Sequence, residues 1–169
     1  MLTAQQLIAM LDLRPLPLEG GYYRETYRAP DRLPASALAA HYHTDKSACT
    51  AIYYLLTPET FSALHRLPTD EIFHFYLGDP VHMLQLPPDG EGRVVMLGSD
   101  LNAGQHPQLV VPRGTWQGSR LAPGGSFALL GTTVAPGFDF ADFEPADKNY
   151  LIARYPAFAS QIDRLIRAS

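Results

Sequence analysis

Between Thr50 and Thr133 the chain alternates short runs of β-prone residues with compact turn sequences, and this rhythm limits its fold more than any other feature. The runs are Thr50 to Leu56, Thr60 to Arg66, Glu71 to Leu77, Val81 to Leu86, Arg93 to Leu97, Gln108 to Val111, Trp116 to Leu121 and Ser126 to Thr132. Turn chemistry separates them, as in Gly78-Asp79-Pro80, Pro87-Pro88-Asp89-Gly90, Pro112-Arg113-Gly114 and Pro123-Gly124-Gly125. Proline presets one backbone dihedral and glycine tolerates positive φ, so such clusters reverse the chain. Many short strands at this spacing predict an all-β sandwich or closed barrel. No helical period interrupts them, which excludes a βαβ architecture.

The flanks add helices. Thr3 and Gln6 have the spacing of a capping box, and Leu7, Ile8 and Leu11 then share one helical face until Pro15 ends the segment. Gly20-Gly21 precedes Tyr22 to Arg28, a strand on which strict alternation puts Tyr23, Glu25 and Tyr27 on one face and Tyr22, Arg24, Thr26 and Arg28 on the other. The stretch from Val134 to Tyr150 reads as irregular and rich in aromatic and acidic residues. After Pro156 the apolar set Phe158, Ile162, Leu165 and Ile166 marks a closing amphipathic helix.

With 169 residues the chain suits one compact domain, and 46% hydrophobic against 18% charged residues is the balance of a globular protein. No apolar stretch is long enough to span a bilayer. The formal charge is −4 and the arginines are scattered among acids, so the electrostatic footprint of a nucleic-acid binder is missing. The segment Met1 to Leu13 lacks a secretory pattern and Cys49 stands alone, which together predict a cytoplasmic location.

Chemistry concentrates around His65. Residues two apart on a strand face the same side, so Ala63, His65 and Leu67 share one face and Glu71, Phe73 and Phe75 share one on the returning strand. An imidazole beside a buried carboxylate is suited to general acid and base work near neutral pH.

His65, Glu71 and Gly78 sit at the offsets of the first cupin motif, with Leu67 where that motif has its second histidine. Pro112-Arg113-Gly114-Thr115-Trp116-Gln117 resembles the second motif, with Gln117 in place of its histidine. Four blocks in order also resemble the DUF985, or Cupin_5, family: Glu19 to Arg28, Ser62 to Arg66 with Asp70 to Tyr76, Val111 to Gln117, and Pro136 to Glu144. This resemblance covers nearly the whole chain. It implies a cupin jelly-roll barrel, all-β with short N-terminal and C-terminal helices, a pocket in the interior, a homodimer, and a fold similar to sugar-nucleotide epimerases. Fold alone supplies no reaction.

The expected catalytic pair is His65 and Glu71, the imidazole oriented by the carboxylate. Expected substrate-binding residues are Tyr23, Arg24, Phe73, Phe75, Trp116 and Gln117, with Arg24 gripping an anionic group. Each also has a plain structural reading. His65 and Glu71 could be a satisfied polar pair with Gln117 completing their hydrogen bonds, Arg24 an ion-pair partner, and the aromatics ordinary core. His74 is out of phase with Glu71 and is expected to face away. The segment from Gly137 to Glu144 either closes the barrel mouth or is a fixed surface loop. No cofactor is expected, since Leu67 and Gln117 replace two imidazoles, and a weakly held divalent metal at His65, Glu71 and Gln117 is the residual option.

Three functions follow: a metal-independent isomerase or epimerase in which His65 takes a proton next to a carbonyl, a non-catalytic small-molecule binder favoured by Leu67, and, less well supported, a metal-dependent oxygenase or isomerase. The expected partners are a small molecule and a second copy of the chain, with neither nucleic acid nor membrane.

Overall fold

The computed structural model describes residues 2–167. In chain order its principal elements are α1 (Ala4–Met10), β1 (Arg14–Pro15), β2 (Tyr22–Arg28), β3 (Arg32–Leu33), β4 (Lys46–Ser47), β5 (Thr50–Leu56), β6 (Ser62–Arg66), β7 (Glu71–Gly78), β8 (Val81–Leu86), β9 (Arg93–Leu97), β10 (Gln108–Val111), β11 (Trp116–Leu121), β12 (Ala128–Val134), β13 (Glu144–Pro145), α2 (Lys148–Arg154) and α3 (Ala159–Asp163). One sheet has the order β1-β2-β5-β12-β7-β10, a second the order β13-β6-β11-β8-β9, and β3 and β4 pair separately. Neighbours in both large sheets are antiparallel.

The register stacks the inner face of the first sheet in layers. Tyr23, Tyr54, Leu130 and Phe75 lie in one row, Glu25, Ile52, Thr132 and Phe73 in the next, and Arg28, Thr50, Val134 and Glu71 in the third. Across the interior, Val81, Met83, Leu97 and Leu121 of the second sheet join Tyr54, Phe73 and Leu130 in a dry core. One end of the barrel is therefore packed with hydrocarbon, and polar chemistry gathers at the other. Gly78 ends β7 with φ +105°, and a Cβ there would overlap the Phe127 carbonyl oxygen, so the tight β7–β8 turn admits only glycine.

Helices cover the outer faces. The Thr3–Gln6 capping box forms as expected, and Ala4 and Leu7 of α1 pack with Leu13 on Leu55 and Leu129. On the second sheet Leu64, Leu84, Leu86 and Trp116 meet Leu151 of α2 and Ile162 of α3, together with Tyr155 and Leu165. Helix α2 occupies part of the stretch expected to be irregular; Asp147 caps it by accepting from the Tyr150 N–H, and burial of Leu151 anchors it. The expected closing helix is present as α3, preceded by a 3₁₀ turn at Pro156–Phe158. Among the described residues no helix is long and apolar enough to cross a membrane.

Because Trp116 holds this outer layer together, Trp116→Ala should lower stability by about 3–5 kcal/mol, read as a fall in the urea midpoint at unchanged slope. A change below about 1 kcal/mol would contradict the packing described.

Candidate functional site

A cavity of about 290 Å³ opens at the polar end of the barrel, lined by His65, Leu67, Glu71 and Thr132 from the walls, Tyr23, Glu25 and Arg28 from β2, and Glu19 beside them. Phe138, Asp139, Phe140 and Phe143 close it from the segment ahead of β13.

Two ionisable groups from different sheets face this cavity. Glu71 begins β7 and is 7% exposed; its Oε2 accepts a 2.6 Å hydrogen bond from the Gln117 side-chain amide on β11. This clasp joins the two sheets. Burial raises the Glu71 pKa from 4.5 to about 7, helped by the charge of Glu19 and opposed by His65, the Gln117 amide and the Thr132 hydroxyl. A carboxyl group held there is partly protonated at neutral pH.

His65 is 2% exposed and stacks on Phe143 at 4.8 Å between ring centroids. Its Nδ1 lies 2.8 Å from the Ala63 carbonyl oxygen, which can only accept, so Nδ1 carries the proton and donates. In the neutral ring Nε2 then holds a lone pair, and among the described residues it has no hydrogen-bond partner. The expectation that Glu71 orients His65 is corrected: the Ala63 carbonyl sets the tautomer, while Glu71 is held by Gln117.

Glu19 enters through backbone geometry. Gly20 has φ +104°, and a Cβ there would lie 2.5 Å from the Phe61 carbonyl oxygen, so glycine lets this segment run tight against β6. The Ser62 hydroxyl then donates to Glu19 Oε1 at 2.6 Å, and the Ala63 N–H to the Glu19 carbonyl at 2.9 Å. The phenol of Tyr54 fixes the same turn by donating to the Gly20 carbonyl at 3.0 Å, and burial raises its pKa well above 10.

Arg28 faces the cavity because β2 bulges between Glu25 and Tyr27, which carries Arg28 to the face of Tyr23 and Glu25 and leaves Tyr27 52% exposed. The expected alternation is thus corrected after Glu25. Arg28 forks onto Glu25 at 3.0 and 2.8 Å, and also donates to Asp139 at 3.3 Å and to the Phe138 carbonyl at 2.9 Å. Lys46, 3% exposed, holds Asp142 at 2.6 Å and Asp139 at 3.3 Å. With Arg66 forked onto Glu144 at 2.7 Å through both contacts, these pairs strap the closing segment across the mouth.

Of the residues singled out in the sequence, His65, Glu71 and Tyr23 line the cavity, and Gln117 reaches it through Glu71. Arg24 points to the outer face of its sheet, with its guanidinium 5.5 Å from the Tyr53 ring centre. Trp116 also faces outward, where Arg66 stacks on it at 4.5 Å. Phe73 and Phe75 do point inward, but into the dry end, where Phe73 is core and Phe75 packs against it. His74 faces away as expected, 3.1 Å from the Thr133 hydroxyl. Glu19, Arg28, Thr132 and Phe143 were not singled out.

The donor set does not suit a tightly bound metal. Among the described residues no group of three or more His, Cys, Asp or Glu is placed to hold one. Leu67 brings hydrocarbon to the wall, and Gln117 turns its amide nitrogen, a donor, toward Glu71.

A sequence model described as Cupin superfamily (DUF985), Cupin_5, matches residues 5–146. An uncharacterized protein of Saccharomyces cerevisiae is 32% identical over 132 residues, 73% of this chain and 66% of that protein, just under two thirds of its length. Among solved structures, a hypothetical protein from Leishmania major superposes with TM-score 0.88 at 32% identity, covering 99% of this chain and 100% of that one. A protein from Shewanella oneidensis gives TM-score 0.85 at 34% identity, covering both chains fully at 100%.

The raised Glu71 pKa has a consequence for stability. Its folded value lies above the unfolded one, so the folded state binds this proton more tightly and ionisation opposes folding. The penalty is absent below pH 4.5, grows through about pH 7, and levels off above it at an order of 3 kcal/mol. Glu71→Gln should remove it, so that wild type loses stability relative to the variant between pH 5 and 8.5. Parallel unfolding curves for the two proteins would contradict the assignment.

Proposed function

The chain belongs to the Cupin_5 family (DUF985) of the cupin superfamily, and from that premise we propose that its barrel cavity takes a small molecule and moves a proton on it, as an isomerase or epimerase does. The observation that supports this reading is the pairing of two proton-transfer groups that are held independently yet face one cavity. Glu71, with a pKa of about 7, can give or take a proton near neutrality, and His65 presents an Nε2 lone pair. One group removing a proton while the other returns one meets the balance of an isomerisation with no net proton change.

The surroundings fit this chemistry. Phe143 stacks over His65, Leu67 adds hydrocarbon to the wall, and Gln117 holds Glu71 in place. In this reading Tyr23 and Thr132 shape the substrate end of the cavity. Arg28, neutralised by Glu25 and Asp139, is a structural clasp and does not grip an anion.

A second reading, a non-catalytic binder, is favoured by the largely aromatic closing segment. The two are separated by incubating the protein in D₂O with a panel of small compounds bearing a proton next to a carbonyl, and following that proton by NMR. The proton-transfer reading expects exchange with at least one compound, reduced by about a hundredfold or more in both His65→Gln and Glu71→Gln. Binding without exchange across the panel would leave the protein a binder.

A further inference from the structure

The charges around the cavity do not balance, and their excess is negative. Glu25 and Asp139 line it but are tied to Arg28, and Lys46 is shared between Asp139 and Asp142. Among the described residues Glu19 and Glu71 have no cationic side chain in a salt bridge with them; their partners are the Ser62 hydroxyl and the Gln117 amide. The two carboxylates are near enough that the charge of Glu19 helps to keep the proton on Glu71. Two acids held in this way oppose each other until a cation lies between them.

The remaining wall is aromatic. Phe140 meets Tyr23 edge-on at 6.5 Å and Phe138 at 5.4 Å, and Phe143 lies across His65. Rings around a small cavity attract an ammonium through their quadrupoles. His65 points the same way independently of the acids. It is 2% exposed, its Nδ1 proton is committed to Ala63, and its Nε2, with no partner among the described residues, is an acceptor in the neutral ring. Ionised Glu19 and Glu71 and the His65 Nε2 all accept hydrogen bonds, and a primary ammonium carries three donors and no acceptor.

We infer that the molecule this cavity selects is a small primary amine, bound as its ammonium between Glu19 and Glu71 with its apolar body against Tyr23, Phe138 and Phe140. This deepens the proton-transfer reading and rests on the same cavity. An anion is disfavoured on charge, because Arg28 is already paired with Glu25 and Asp139.

Three probes of nearly equal shape separate charge from shape: benzylamine, benzyl alcohol and benzoate, titrated by calorimetry or NMR at pH 8. Benzylamine should bind at least about tenfold more tightly than benzyl alcohol, and benzoate more weakly than either. Glu19→Gln should cut the amine's advantage over the alcohol about tenfold. Equal or tighter binding of the alcohol or of benzoate would overturn the amine inference and leave the cavity as a ligand site. Binding of none of the three would overturn both. Because the comparison among probes is made on wild type, it stands even if the Glu19 variant fails to fold.

Discussion

The 2.6 Å hydrogen bond from the Gln117 amide to Glu71 is the interaction on which the site depends. It crosses between the two sheets, so it fixes their separation at the polar end as the hydrocarbon core fixes it at the other. It also holds a carboxyl group in a place where burial would otherwise favour withdrawal toward water. Burial at that position raises the Glu71 pKa to about 7, although the Gln117 hydrogen bond itself pulls the other way. The clasp thus holds Glu71 at the cavity that His65 also lines.

The closing segment depends on the same end of the barrel. Arg28 and Lys46 draw Asp139 and Asp142 inward, and this brings Phe143 over His65 and Phe140 toward Tyr23. Charge is therefore spent on positioning hydrocarbon. The acids that escape this pairing, Glu19 and Glu71, give the cavity its remaining polarity.

Much of the fold was legible in the sequence, because turn residues and alternation act locally. The strands Thr50–Leu56, Val81–Leu86, Arg93–Leu97, Gln108–Val111 and Trp116–Leu121 have the ends read from the sequence. The site was legible where parity alone decides, as for His65 and Glu71. Parity also shows where the sequence reading overreached, since adjacent strand residues point to opposite faces and neither Trp116 with Gln117 nor Arg24 with Tyr23 can share one cavity. Phe73 and Phe75 had the right face but the wrong depth, which depends on how far the core fills the barrel. The bulge that exchanges Arg28 for Tyr27 has no signature in the local residues. Glu19 is brought in by the tight passage at Gly20, a tertiary contact with Phe61 that no local pattern shows.

The account's central claim is that Glu71 is a buried, independently held acid that titrates near neutrality. The direct measurement is an NMR titration of ¹³C-carboxyl-labelled glutamates in the folded protein, with the Glu71 resonance assigned by its loss in Glu71→Gln. The account predicts a midpoint at about pH 7. A midpoint at the ordinary 4.5 would mean that Glu71 is hydrated and fully ionised at neutral pH, and would contradict the account.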